Sequence, residues 1–359
     1  MSDARTNVEV VRVDHVSKVF GPAESKIRKQ MKIGGNLEQA LTTENAAAAL
    51  REVSLVVEKG EIFAIMGLSG SGKSTLVRCV NGLISPTSGQ IWIEGTAICG
   101  ASARVMRMLR QRRMAMVFQN FALLPHMSVG ENVAFGLMLR GESTDARRIR
   151  VDEVLELVGL ADWRDRRIDE LSGGMKQRIG LARALATNPD ILIMDEPFSA
   201  LDPLIRSSLQ DELLRLQQEL KKTILFVTHD FEEAIRLGNR ILIMKDGQSV
   251  QVGTPAQLIR QPADAYVQAF TAHADRLAFL TMDALIEAFP CSPDDSREQE
   301  PGASVLHLAP HTPMVDVLAG LQDHGYVATT CTRSGRPRLF PSRQVVQFVG
   351  GLYTAQRSR

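Results

Sequence analysis

Along most of this chain, short unbroken apolar runs alternate with stretches of helical period. Glu61 to Met66 is an apolar run that ends in glycine, and Thr75 to Leu83 then has the spacing of a helix. Met114 to Phe118, Ile191 to Met194 and Ile224 to Val227 are further runs, short enough for strands buried on both faces of a parallel sheet. Ile205, Leu209, Leu213, Leu216 and Leu220 step by three or four along the chain, so one helix face carries them all and predicts packing on that sheet. Strand, glycine-rich loop, helix, then alternating strands and helices together predict an α/β fold.

Two regions depart from this pattern. From Gly21 to Leu50 the chain is polar and then alanine-rich, with Asn36 and Asn45 as candidate helix caps, and reads as an insertion between two strands. Beyond Thr271 the alternation weakens, and the prolines, serines and acids between Pro290 and Gly302 read as a linker. The expected organisation is a main domain over 1–270 and a smaller α+β region over 271–359.

Composition adds exclusions. Apolar residues at 44% and charged residues at 23% describe a globular chain rather than a disordered one. A formal net charge of +1 leaves no bulk attraction for a polyanion. The arginines from Arg104 to Arg113 lack neighbouring aromatics and read as a solvated helix face, so no nucleic-acid partner is expected. Cys79, Cys99, Cys291 and Cys331 are scattered, without metal-ligand or disulfide spacing, which suits a reducing compartment. The N-terminus lacks the apolar core of a signal peptide, and no stretch reaches the roughly 20 apolar residues of a membrane span. Work at a membrane would be that of a peripheral subunit.

The loop Gly67-Leu68-Ser69-Gly70-Ser71-Gly72-Lys73-Ser74, followed by Thr75, fits the phosphate-binding pattern G-x-x-x-x-G-K-[ST]. Its glycines let backbone N–H groups curl around phosphates at a helix N-terminus; Lys73 adds a point charge, and the Ser74 hydroxyl can ligate Mg2+. Asp195 and Glu196 end the apolar run Ile191 to Met194, where carboxylates are costly without a task. Asp195 suits the metal's hydration shell, and Glu196 suits a base that takes a proton from an attacking water. In Leu171-Ser172-Gly173-Gly174-Met175-Lys176-Gln177-Arg178, Ser172 can cap a helix whose first glycines leave N–H groups open to an anion.

These three motifs in this order resemble the ATP-binding-cassette (ABC) ATPases, a resemblance covering about Val8 to Phe270. It implies a P-loop NTPase fold with an antiparallel β subdomain and a helical subdomain at about 121–186, with ATP and Mg2+ as cofactors. It further implies that Phe20 stacks on adenine, that Gln119 touches Mg2+ and water, that Asp202 belongs to a loop crossing to a partner, and that His229 contacts the γ-phosphate. Lys73, Gln119, Glu196 and His229 are then the expected catalytic set, Ser74, Gln119 and Asp195 the metal set, and Ser172, Gly173, Gly174 and Gln177 the nucleotide contacts of the signature. Two such chains would meet head to tail as a homodimer with two composite sites.

Leu68 within the loop, Phe121 to Met127, Phe198 to Arg206 and the insertion together resemble the ATPases of glycine betaine, proline betaine and choline importers. That branch implies ATP-driven uptake through separate integral-membrane permease subunits, with a binding protein engaged indirectly, at the cytoplasmic face of the cell membrane. With three tyrosines and two tryptophans the chain shows no aromatic cage for a quaternary ammonium, so amine selectivity is expected elsewhere. Ala309 to Leu318 and Gly335 to Phe340 resemble parts of a CBS regulatory module, although 271–359 is short for the usual pair. The rival readings are a soluble ABC protein of repair or translation, whose tandem cassettes or coiled-coil insertion are not seen here, and an ATP-sensing regulator.

Overall fold

The computed structural model describes residues 8–118, 121–199, 201–272, 282, 285–286, 289, 304–308, 312, 314–321, 324, 326–330 and 337–354. Two compact units divide the chain, Met1–Val252 and Gly253–Arg359. The first runs through β1 (Glu9–Val19), α1 (Glu24–Lys32), α2 (Leu37–Thr43), β2 (Ala48–Glu58), β3 (Ile62–Met66), α3 (Lys73–Val80), β4 (Ser88–Ile93), β5 (Thr96–Ala97), α4 (Ala103–Arg112) and β6 (Met114–Val117). It continues with α5 (Val129–Leu139), α6 (Thr144–Leu157), α7 (Gly173–Ala186), β7 (Ile191–Asp195), α8 (Pro203–Leu220), β8 (Thr223–Thr228), α9 (Phe231–Leu237), β9 (Arg240–Lys245) and β10 (Gln248–Gly253).

A six-stranded sheet in the order β10-β9-β3-β8-β7-β6 forms the centre of this unit, with β9, β3, β8, β7 and β6 running parallel to one another. Every residue of β3, β7 and β8 is buried, which is why these strands are continuous apolar runs rather than alternating ones. Leu209, Leu213 and Leu216 of α8 are buried as their spacing requires. Leu220 departs from that stripe and is 38% exposed, because Lys221 takes a left-handed conformation and ends the helix there. Phe226 is fully buried with its ring centroid 5.9 Å from that of Phe198. Phe226→Ala is expected to lower stability by about 3–5 kcal/mol, read as a fall in the denaturant midpoint.

The second sheet, β2-β1-β4-β5, is antiparallel. The insertion lies between β1 and β2 as two short helices with their own apolar cluster of Val19, Ile27, Leu37, Ala40 and Leu41. Asn36 caps α2, accepting from the Gln39 N–H at 3.1 Å. Asn45 does not start a helix: it sits at φ 48 just past the end of α2, a left-handed position that asparagine tolerates better than most residues. Arg104, Arg107, Arg110 and Arg112 are exposed on α4 while Met106 and Leu109 face inward, the solvated face expected.

Helices α5, α6 and α7 group together, with α5 opened by a capping box between Ser128 and Glu131. The second unit contains α10 (Pro255–Arg260), α11 (Ala265–Thr271), β11 (Val305–His307), a helix over Met314–Gly320, β12 (Tyr326–Thr330), β13 (Pro337–Pro341) and a helix over Ser342–Thr354. β12 and β13 pair antiparallel and β11 joins β12 in parallel. Met282, Leu285, Met314, Val317, Val327, Phe340, Val345 and Phe348 form its core, an α+β arrangement.

Candidate functional site

Parallel strands β3, β7 and β8 are neighbours in the sheet, with Met66 paired to Thr228 and Asp195 to Val227. Their carboxyl ends therefore lie side by side, and the loops leaving them meet in one place. Gly67 follows β3, Glu196 follows β7 and His229 follows β8. Thus the loop and the two acids expected to work together are assembled by strand register rather than by sequence proximity.

The glycine-rich loop turns through Ser71 N–H donating to Leu68 O at 3.2 Å and enters α3 at Gly72, which has φ 97. Helix α3 starts at Lys73, two residues before the expected start, because the loop closes directly into its first turn. At Gly67, with φ 154, a Cβ would run into the Met244 carbonyl and lie 2.7 Å from Ser71 Oγ, so only glycine leaves the cradle open. Lys73 is 4% exposed, and its Nζ donates to Gly67 O at 2.8 Å and Leu68 O at 3.0 Å. Burial pulls its pKa below the usual lysine value, opposed by the charges of Glu196 and Asp195. Ser71 Oγ is buried without a hydrogen-bond partner among the described residues.

Ser74 Oγ donates to Asp195 Oδ1 at 2.8 Å, joining α3 to the end of β7. Asp195 is 2% exposed, and burial raises its pKa against the lowering effect of the Ser74 bond and of Arg78, whose Nη2 lies 3.6 Å from Oδ2. Glu196 sits at φ 45, a strained conformation for a side chain of its kind, and its Oε2 is 3.4 Å from Nδ1 of the largely exposed His229. A buried ammonium folded onto its own loop and an orphaned hydroxyl beside it fit a polyphosphate that would take both bonds. Among the described residues no group of three or more His, Cys, Asp or Glu could hold a metal. The hard oxygen pair of Ser74 and Asp195 suits Mg2+ arriving with phosphate oxygens that complete its shell.

The other expected contacts lie apart from this cluster. Phe20 is 52% exposed just past β1, with Lys18 Nζ 4.9 Å from its ring centroid. Ser69 and Gly70 are exposed at the tip of the loop, and Thr75 is half-buried in α3. Ser172 caps α7 by accepting from Met175 N–H at 3.4 Å, and Ser172 and Gly173 remain exposed. Gly174 is packed under Ile205 so closely that a Cβ would lie 2.6 Å from its Cγ2. Asp202 caps α8, accepting from Ile205 N–H at 3.1 Å. Gln177 is turned inward, 3% exposed, and neither amide atom is paired among the described residues. Gln119 lies outside the described residues.

Sequence reasoning missed the groups that hold these residues in place. Arg78 was findable, being four residues after Ser74 and so on its helix face. The clamp around His229 was not: Thr228 Oγ1 donates to Glu233 Oε2 at 2.7 Å and accepts from Asp230 N–H at 3.0 Å. Asp230 caps α9, and Arg206 Nη1 lies 3.4 Å from its Oδ2 while Nη2 donates to Leu201 O. Glu233 also accepts from Gln210 at 3.2 Å, and burial raises its pKa. Glu233→Ala leaves Thr228 and Gln210 without this acceptor and is expected to lower stability by about 2–3 kcal/mol, measured by chemical unfolding.

A model of the ABC transporter family matches residues 50–199. The glycine betaine/proline betaine transport system ATP-binding protein of Escherichia coli is 50% identical over 260 residues, 72% of this chain and 65% of that protein. The trimethylamine N-oxide transport system ATP-binding protein of Ruegeria pomeroyi is 47% identical over 300 residues, 84% of this chain and 87% of that one. Among solved structures, a dimeric ATP-binding cassette in a post-hydrolysis state with ADP and phosphate superposes with a TM-score of 0.58 at 32% identity, over 68% of this chain and 98% of that chain. The chain spans about two thirds of the length of the glycine betaine relatives it matches. It belongs to the ABC transporter family, as one of its ATP-binding subunits. Its first unit accordingly has the ABC ATPase fold, with the parallel core, the antiparallel sheet and the helical group α5 to α7.

Proposed function

We propose that this chain hydrolyses ATP to power an importer of a quaternary-amine osmoprotectant such as glycine betaine, proline betaine or choline. The observation that carries the ATPase reading is the convergence of Lys73, Ser74, Asp195, Glu196 and His229 at the ends of three adjacent strands. Support for the cargo is the glycine betaine/proline betaine relative; the trimethylamine N-oxide relative concerns a solute with a trimethylated nitrogen, as in glycine betaine and choline.

Residues 1–270 act as the ATPase domain, with the helical subdomain at about 121–186, and 271–359 as a regulatory region related to part of a CBS module. Lys73 and the loop N–H groups bind phosphate oxygens, while Ser74, Asp195 and Gln119 hold Mg2+. When bound, Mg2+ neutralises phosphate charge and favours departure of the leaving oxygen. Glu196 accepts the proton of the attacking water, and His229 donates to the oxygen on which charge grows. The exposed Ser172 and Gly173 supply N–H groups to the partner's nucleotide in a homodimer, and Asp202 stands at the same crossing. Partners are integral-membrane permease subunits, with a substrate-binding protein engaged through them at the cytoplasmic face of the membrane. Among the described residues no helix is long and apolar enough to cross a membrane.

The decisive experiment reconstitutes the full chain in lipid vesicles with the integral-membrane subunits it copurifies with and follows labelled betaine and choline. ATP-dependent accumulation of one of them supports the proposal. Hydrolysis indifferent to either amine but stimulated by nucleic acid would replace it with the repair or translation reading.

A further inference from the structure

The insertion between β1 and β2 has no part in the chemistry above, yet it is joined to the two residues just before Phe20. Lys18 is the penultimate residue of β1, is 5% exposed, and places its Nζ 4.9 Å from the Phe20 ring centroid. A buried ammonium needs a counter-charge, and Glu24 of α1 provides it at 2.7 Å. That carboxylate is itself fixed by Arg28 at 2.6 Å and by the Thr87 hydroxyl at 3.3 Å. Thr87 Oγ1 in turn accepts from Val19 N–H at 3.0 Å, so the backbone next to Phe20 closes the same network. Val19 also enters the apolar cluster of Ile27, Leu37, Ala40 and Leu41, which fastens both inserted helices to this point of β1.

We propose that the insertion is a brace for the base-stacking platform: α1, through Glu24, holds the Lys18 ammonium against one face of Phe20 and leaves the other face to the adenine. Two physical effects follow. An exposed phenyl ring at a strand end is otherwise free to change rotamer, and a cation fixed on one side narrows that freedom before the base arrives. The cation also draws π density toward itself, which reduces repulsion between the opposite face and the π system of a stacked purine. The inference rests on the reading of Phe20 as the adenine contact.

The test separates the base from the phosphates. Affinities for ATP and for inorganic triphosphate, both with Mg2+, are measured by calorimetry for the full chain and for Phe20→Ala, Lys18→Met and Glu24→Gln. Phe20→Ala is expected to lower the ratio of ATP to triphosphate affinity about fivefold or more, as loss of a stacked base does. Lys18→Met and Glu24→Gln are expected to lower the same ratio about two- to fivefold while triphosphate binding stays at the wild-type value. Glu24→Gln, which keeps the shape of the side chain, decides alone should Lys18→Met fail to fold. A wild-type ratio in the Lys18 and Glu24 variants, with a lowered one in Phe20→Ala, overturns the brace and leaves stacking intact. An unchanged ratio in Phe20→Ala overturns the stacking contact and the brace with it.

Discussion

Glu196→Gln is expected to slow ATP hydrolysis by about 10²- to 10⁴-fold, the usual contribution of a general base, while ATP stays bound. The substitution keeps the size of the side chain and its reach toward His229, now 3.4 Å away, but an amide cannot take up the proton of the attacking water. In the phosphate cradle Lys73 is bonded to the Gly67 and Leu68 carbonyls and Ser74 to Asp195, bonds that the substitution leaves in place. With binding intact and the chemical step removed, the ATP-bound dimer should accumulate. Phosphate release measures the first part, and size-exclusion chromatography with and without ATP the second. Turnover within tenfold of the parent would remove Glu196 from the role of base.

Lys73→Ala has the second largest expected effect, this time on binding. Charge-assisted bonds to phosphate are worth about 1.5–3 kcal/mol each, so ATP affinity should fall by about one to two orders of magnitude in calorimetric titration at fixed Mg2+. The nucleotide-free protein should respond less: burial disfavours the charge and holds the Lys73 pKa down, while alanine gives up the bonds to Gly67 O and Leu68 O, so the unfolding midpoint is expected to move little. What disappears is the stabilisation that ATP confers, about 2.7 kcal/mol for the parent at a hundred times its Kd. A variant destabilised without nucleotide yet binding ATP normally would contradict both halves of the argument.

The parts of the fold legible beforehand were those in which the local pattern and the tertiary environment agree. β3, β7 and β8 were plain because burial on both faces leaves no polar position to interrupt them. The insertion was recognised by its break in pattern, and Asn36 by the capping rule. Asn45 closes the same helix at its other end, in the left-handed exit position that asparagine tolerates, and its neighbours alone do not say which end it serves. The buried stripe of α8 stops one leucine short of the helix end: Leu220 is the last helical residue and exposed, and Lys221 carries no sequence mark of its left-handed backbone.

Read alone, the amino-acid sequence determined the chemistry at each point: a glycine-rich loop that admits phosphates, a lysine and serine at its end, two acids closing an apolar strand, and a capped signature helix. Those are local properties, set by residue type and near-neighbour spacing. Only the tertiary structure decided which of these groups meet. Ser74 and Asp195 are bonded across 121 positions of sequence because parallel strands bring distant carboxyl ends together. Antiparallel pairing of β1 with β4 likewise draws Thr87 beside Val19 and Glu24, and the inserted helices come to bear on Phe20. Buried ions such as Lys18, Glu233 and Asp195 must find partners wherever the fold places them, and residue spacing carries no record of that choice.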